Sequence, residues 1–171
     1  MQERTGIITF QGKPLTLTGL EVKVDQQAPD FQVLSKELKK FTLKDFSGKM
    51  KVICSVPSLD TPVCDLEIKR FNEEAAKLAG NVLVIFVSMD LPFAQGRFCQ
   101  SFQVDHVQTF SDHAMASFGE HYGTLIKELR LLTRAVFIID HQDIVRYVEY
   151  VSEITNPPNY MNVLKVLSTL A

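Results

Sequence analysis

Apolar residues in this chain gather into four short runs, at 52–56, 83–88, 134–140 and 144–151. The first three are nearly continuous and predict buried strands; the fourth alternates, as a half-buried strand does. Between them, apolar positions recur at helical spacing. Ile68, Phe71, Ala75, Leu78 and Ala79 predict one helix. Phe93 to Phe102 predict a second, entered at Pro92, and residues 112–121 a third. Asn159 predicts the cap of a last helix whose apolar face holds Val163, Leu164, Val166 and Leu167. Near the start, residues 6–18 alternate around Gly12 and Pro14 and predict a β-hairpin. Ala28-Pro29-Asp30-Phe31 leads to a short strand at 41–43, and residues 45–49 form a turn.

Strands alternating with helices predict an α/β layer fold, a central sheet covered by helices. The first two and the last two strands lie close enough in sequence to form hairpins, so the sheet is mixed. This is compatible with a thioredoxin-like fold carrying an N-terminal β-hairpin over residues 1–20, within one domain spanning 1–171. The 171 residues are 46% apolar and 22% charged, with net charge −2. That balance gives no electrostatic grip on nucleic acid or a membrane surface. The sequence predicts no signal peptide and no membrane span, and a cytoplasmic protein.

Three cysteines, Cys54, Cys64 and Cys99, include no CxxC pair, and the four histidines make no zinc-type pairs with them. No metal is expected. Buried packing and thiol chemistry remain. The informative stretch is Pro57-Ser58-Leu59-Asp60-Thr61-Pro62-Val63-Cys64, between a strand and a helix. Thr61 suits the N-cap and Pro62 the first helical position, which puts Cys64 at the third, where an N-cap hydroxyl meets the backbone N–H. A free thiol is only a few per cent ionised at pH 7, and a helix N-terminus favours the thiolate. A cysteine lowered to roughly pKa 6 is about nine-tenths reactive anion at that pH. Asp65 and Glu67, in the first turns of the same helix, repel such an anion. An activated Cys64 therefore needs a cation, and arginine, whose fork also binds oxygen, suits better than lysine. Spacing does not say which arginine.

Pro57-x-x-x-Thr61-x-x-Cys64 resembles the PxxxTxxC signature of peroxiredoxins. PSLDTPVCD, RFNEEAAKL at 70–78, TFQGKPLTLTG, SMDLPFAQGRFC at 88–99, RLLTRAVFIID at 130–140 and EITNPPNY at 153–160 are similar to the bacterial thiol peroxidases of that family, over nearly the whole chain. The resemblance implies an atypical 2-Cys enzyme. Cys64 would be the peroxidatic cysteine and Cys99 the resolving one, closing an intramolecular disulfide. Arg134 would stabilise the thiolate and orient the peroxide, Thr61 would hydrogen-bond peroxide and sulfur, and Pro57 would shield the site. It further implies thioredoxin as reductant, a homodimer, and no metal or organic cofactor. A sulfenic acid captured by a second thiol fits that scheme. Many relatives have Gly directly after the resolving cysteine, whereas Gln100 follows Cys99 here, which is expected to stiffen the helix and slow disulfide closure.

Other features read plainly. Cys54 is expected to be inert core, Phe46, Phe71, Phe93 and Phe118 to be core, with Phe93 also placed to line a pocket, and the histidines to be surface or capping groups. Leu59 and Val63 would tolerate an alkyl tail on the peroxide. Three other functions compete with peroxide reduction. A redox sensor would use the same two thiols without repeated turnover. A thioredoxin-type oxidoreductase or a cysteine hydrolase lacks its CxxC pair or a marked histidine base.

Overall fold

The computed structural model describes residues 2–77 and 82–170. In chain order the elements are β1 (Glu3–Phe10), β2 (Lys13–Thr18), β3 (Gln32–Leu34), β4 (Lys40–Thr42), β5 (Met50–Ser55), α1 (Pro62–Lys77), β6 (Val82–Ser88), α2 (Pro92–Phe102), β7 (Gln108–Ser111), α3 (Ser117–His121), β8 (Leu125–Ile126), β9 (Ala135–Ile139), β10 (Val145–Tyr150) and α4 (Tyr160–Leu170). The helical positions Leu78 and Ala79 lie outside the described residues.

Seven strands make the central sheet, in the order β10-β9-β5-β6-β7-β3-β4. β5, β6 and β7 run parallel, whereas β9 is antiparallel to β5 and β10 to β9. This is the mixed sheet flanked by helices that the pattern predicts. Strand alternation sends neighbouring residues to opposite faces. Ile53, Ile85, Val87, Phe137 and Ile139 face one core, with Phe31, Phe46, Phe118 and Tyr122. Val52, Cys54, Val84, Phe86, Val136 and Ile138 face the other, with Cys64, Ile68 and Phe71 of α1, Phe98 of α2, and Val163 and Leu167 of α4. The first core holds edge-to-face rings, Phe31 on Phe118 at 5.4 Å and Tyr122 on Phe137 at 5.1 Å, each worth about 1 kcal/mol beyond burial.

β1 and β2 form the expected hairpin, joined by Gln11 and Gly12, both at positive φ. That is the backbone of a tight turn matched to strand twist, which Gly12 adopts without strain. β8 adds a third strand to this small sheet, pairing Leu17 with Ile126. Asn159 caps α4 as predicted, its Oδ1 accepting from the Asn162 N–H at 3.0 Å.

Three expectations need correction. The helix predicted at 112–121 begins only at Ser117, because Asp112 acts from outside it. The Asp112 carboxylate accepts from the Phe118 and Gly119 N–H groups at 3.0 and 2.8 Å. Residues 43–46 form a 3-10 turn, so the turn predicted at 45–49 begins earlier. Phe93 is 61% exposed, unlike buried Phe46, Phe71 and Phe118. Its position beside the N-terminal turn of α2 points away from the core, and it lines a surface cleft with Pro92 and Arg97.

Candidate active site

β5 ends at Ser55, and the chain turns through Val56 and buried Pro57 before α1 starts. Asp90, just past the end of β6, holds this loop. Its carboxylate accepts from the Ser58 hydroxyl and the Leu59 N–H, both at 2.7 Å, and from the Ser88 hydroxyl at 2.8 Å. Thr61 then caps α1. Its Oγ1 accepts from the Cys64 N–H at 3.3 Å, as the sequence predicts. Cys64 is wholly buried, with Ile68 and Phe71 following it down the apolar face of the helix.

The cation at the sulfur is Arg134. Its Nη2 donates to Cys64 Sγ at 3.2 Å, its Nη1 to Glu67 Oε2, and its Nε to the Ile154 carbonyl at 3.1 Å. Sequence spacing hid this contact between residues 70 apart. Sheet topology creates it. Because β9 runs antiparallel to β5, Ala135 pairs with Ser55, and Arg134 enters β9 beside the point where β5 releases the chain toward Cys64. The Ser55 hydroxyl secures this end by donating to the Thr133 carbonyl at 2.5 Å. The guanidinium thus lies against the sulfur at the first turn of a helix.

Glu67 has a role that the sequence reading missed. Rather than simply repelling the sulfur, its buried carboxyl pairs with the same guanidinium. Burial raises the Glu67 carboxyl to about 7, against the pull of Arg134. On the other side of the pair, burial works against the charge of Arg134, but Glu67 and Cys64 outweigh it and the net shift is upward. The guanidinium is thus charged throughout, and burial is what lifts Glu67. Glu67 Oε1 is buried without a hydrogen-bond partner, which leaves the carboxyl only partly compensated. The helical interval from Cys64 to Glu67, three residues on one face, was the available signal. Asp65 needs no such arrangement, since it meets Lys69 at 2.9 Å one turn on.

Cys64, Thr61 and Arg134 therefore meet directly, with Pro57 in the adjoining loop. Cys99 does not join them. It is a free, half-buried thiol on α2, with its sulfur 3.5 Å from the Thr109 hydroxyl on β7. Clefts of about 490 and 620 Å³ open beside it, lined in part by Lys36 and Val104. A separate cleft of about 290 Å³ lies between Leu59 and Ala94, Phe98 and Phe102 of α2. Cys54 is free and wholly buried, and burial pushes its thiol well up. Of the histidines, His113 bonds the Ser111 hydroxyl at 2.8 Å and His106 lies 3.5 Å from Asp105. Among the described residues the side-chain partners of Cys64 are Thr61 and Arg134. No helix among those residues is long and apolar enough to cross a membrane.

Comparison with known proteins follows this geometry. The family model described as Redoxin matches residues 23–164. A thiol peroxidase of Bacillus subtilis is 54% identical over 163 residues, covering 95% of this chain and 97% of its own. One of Halalkalibacterium halodurans is 56% identical over 153 residues, covering 90% and 92%. The crystal structure of a peroxiredoxin-like protein from Aquifex aeolicus superposes with TM-score 0.90 at 43% identity, covering 98% of this chain and 99% of that one. A thiol peroxidase from Chromobacterium violaceum shares the fold, with TM-score 0.85 at 18% identity and 95% of each chain covered.

Proposed function

The chain belongs to the Redoxin family, as one of its thiol peroxidases, and on that premise we propose that Cys64 is the sulfur that attacks the peroxide and Cys99 the one that resolves it. The observation that carries this reading is the Arg134 guanidinium donating to Cys64 Sγ at 3.2 Å, at the capped start of a helix. The thiolate electron pair forms a bond to the nearer peroxide oxygen as the O–O bond breaks. The leaving oxygen departs as hydroxide or alkoxide and takes a proton to become water or alcohol. Arg134 is placed to steady both the thiolate and the developing oxygen charge. Thr61, whose hydroxyl accepts from the Cys64 N–H, and Pro57 in the adjoining loop would complete the wall.

The sulfenic acid on Cys64 is then attacked by the Cys99 thiol. A disulfide forms and water leaves. In this structure the two thiols have separate partners, so closure requires the first turn of α1, or α2, to move. The family resemblance supports thioredoxin as the dithiol that reduces this bond, a homodimer as the working form, and a cytoplasmic setting. Hydrogen peroxide and small alkyl hydroperoxides are the substrates proposed.

Stopped-flow oxidation with hydrogen peroxide and with an alkyl hydroperoxide tests the scheme, followed by mass mapping of the product. A Cys64–Cys99 disulfide and complete loss of turnover in Cys64→Ser are expected. Retention of most activity in that variant would refute the assignment.

A further inference from the structure

We propose that Glu153 is a positioning residue, which locks the N-terminal hairpin onto the turn that presents the Ile154 carbonyl to Arg134 and so aims the guanidinium at Cys64. This rests on the reading of Cys64 as the peroxide-reactive sulfur. The hairpin lies outside residues 23–164, which the Redoxin model matches, and no step of the chemistry above uses it.

The guanidinium is a rigid planar fork, so fixing two of its nitrogens fixes the third. Glu67 on Nη1 and Ile154 on Nε leave Nη2 one direction, toward sulfur. Glu67 is held by α1. Ile154 belongs to a short turn outside both sheets; the Val151 N–H ties the start of this segment to the Arg134 carbonyl at 3.0 Å, and the hairpin holds it beyond that point. The Thr9 N–H donates to the Ser152 carbonyl at 2.7 Å, and the Ile154 N–H donates to the Thr9 carbonyl at 3.0 Å. The Ile154 side chain is buried against Ile8, Leu17 and Ile126.

Glu153 closes the arrangement. Its Oε2 accepts from the Thr9 hydroxyl at 2.8 Å and the Gly12 N–H at 3.0 Å. Its Oε1 accepts from the Gln11 N–H at 3.0 Å and from the Thr155 hydroxyl and N–H at 2.8 and 3.2 Å. Five donors on one carboxylate join the tip of the hairpin to both sides of Ile154. With the Gly12 N–H as the foremost of them, these bonds hold the carboxyl down at about 2, so the clamp is anionic throughout the neutral range. An amide at this position would place its NH₂ against donors, and at least one of the two sets would open.

The test compares wild type, Glu153→Gln and Thr9→Val. Thr9→Val keeps the shape of the residue and removes only its hydroxyl, so it decides the matter if Glu153→Gln does not fold. Cys64 oxidation by hydrogen peroxide is followed by stopped flow across pH, alongside thermal unfolding. The oxidation rate at neutral pH is expected to fall about fivefold in Glu153→Gln and about twofold in Thr9→Val. The pH of half-maximal reactivity should move upward in both, because a guanidinium turned away no longer favours the anion. A folded variant that matches wild type in rate and pH midpoint overturns the proposal. So does a slower variant with an unmoved midpoint, since a purely structural defect would do that. If Cys64 in the wild type does not react with peroxide, the functional reading fails first and the inference falls with it.

Discussion

Glu67 makes the stability of this protein depend on pH in a calculable way. Its buried carboxyl is raised from an ordinary 4.5 to about 7. The folded state therefore holds a proton that the unfolded chain gives up, in the window between those values. The contribution of Glu67 is full below about 4.5 and falls as pH rises through 7, the direction set by the folded state binding more protons. A difference of about 2.5 pKa units is worth roughly 3 kcal/mol, most of it lost between pH 5 and 8. Asp112, raised to about 6 chiefly by burial, adds a decline of the same sign at slightly lower pH. Glu67→Gln cannot titrate, so its unfolding free energy should fall less steeply over that range, while the contribution of Asp112 remains. Urea unfolding at pH 5, 6, 7 and 8 reads the two slopes directly. The difference between them isolates Glu67, whatever constant cost the amide brings by weakening the pairing with Arg134. Parallel curves for the two proteins would show that the carboxyl is not raised by its burial, and the electrostatic account of the site would have to be abandoned.

Three further outcomes follow from the same contacts. Arg134→Lys gathers its donors on one nitrogen and cannot span the three acceptors, so Cys64 oxidation should slow about 100-fold in a stopped-flow assay; a rate near wild type would remove arginine from the mechanism. Thr61→Val loses the acceptor of the Cys64 N–H and should cost about 1 kcal/mol in equilibrium unfolding, so an unchanged midpoint would mean the hydroxyl does not cap. Cys54→Ala should leave peroxide turnover unaltered, and in the native protein Cys54 should resist a thiol reagent; labelling as fast as that of Cys64 would overturn its reading as inert core.

The strands most legible in the sequence were those whose environment is uniform. β5, β6 and β9 are buried on both faces and read as apolar runs, and β10 mixes polar with apolar residues because, at the edge of the sheet, it is only half-buried. β3 and β7, with three and four residues, carry no period long enough to read. They exist because an exposed sheet edge supplies partners, a tertiary cause invisible to local pattern. α3 was overextended for a similar reason, since its cap comes from a side chain five residues ahead of its first turn. In the site, the Thr61–Cys64 contact was legible because it is local. The expectation of a nearby cation came from the acidic neighbours of Cys64, and the preference for arginine from its fork. Which arginine was fixed by family resemblance in the sequence and by β5–β9 pairing in the structure. The role of Glu67 is illegible locally, because its partner Arg134 lies 67 residues away in sequence.

Asp90 has a mechanical consequence. It ties down Ser58 and Leu59, and through the Ser88 hydroxyl, which accepts from Gln95 Nε2 at 2.9 Å, the same post also secures α2. The two segments bearing the sulfurs thus hang from one anchorage. Any travel that the proposed disulfide demands is confined to two short tethers, five residues from Leu59 to Cys64 and four from Gln95 to Cys99. Drawn out fully, these reach roughly 17 Å and 14 Å, so the excursion is bounded by chain length while β9 and its guanidinium stay seated in the sheet.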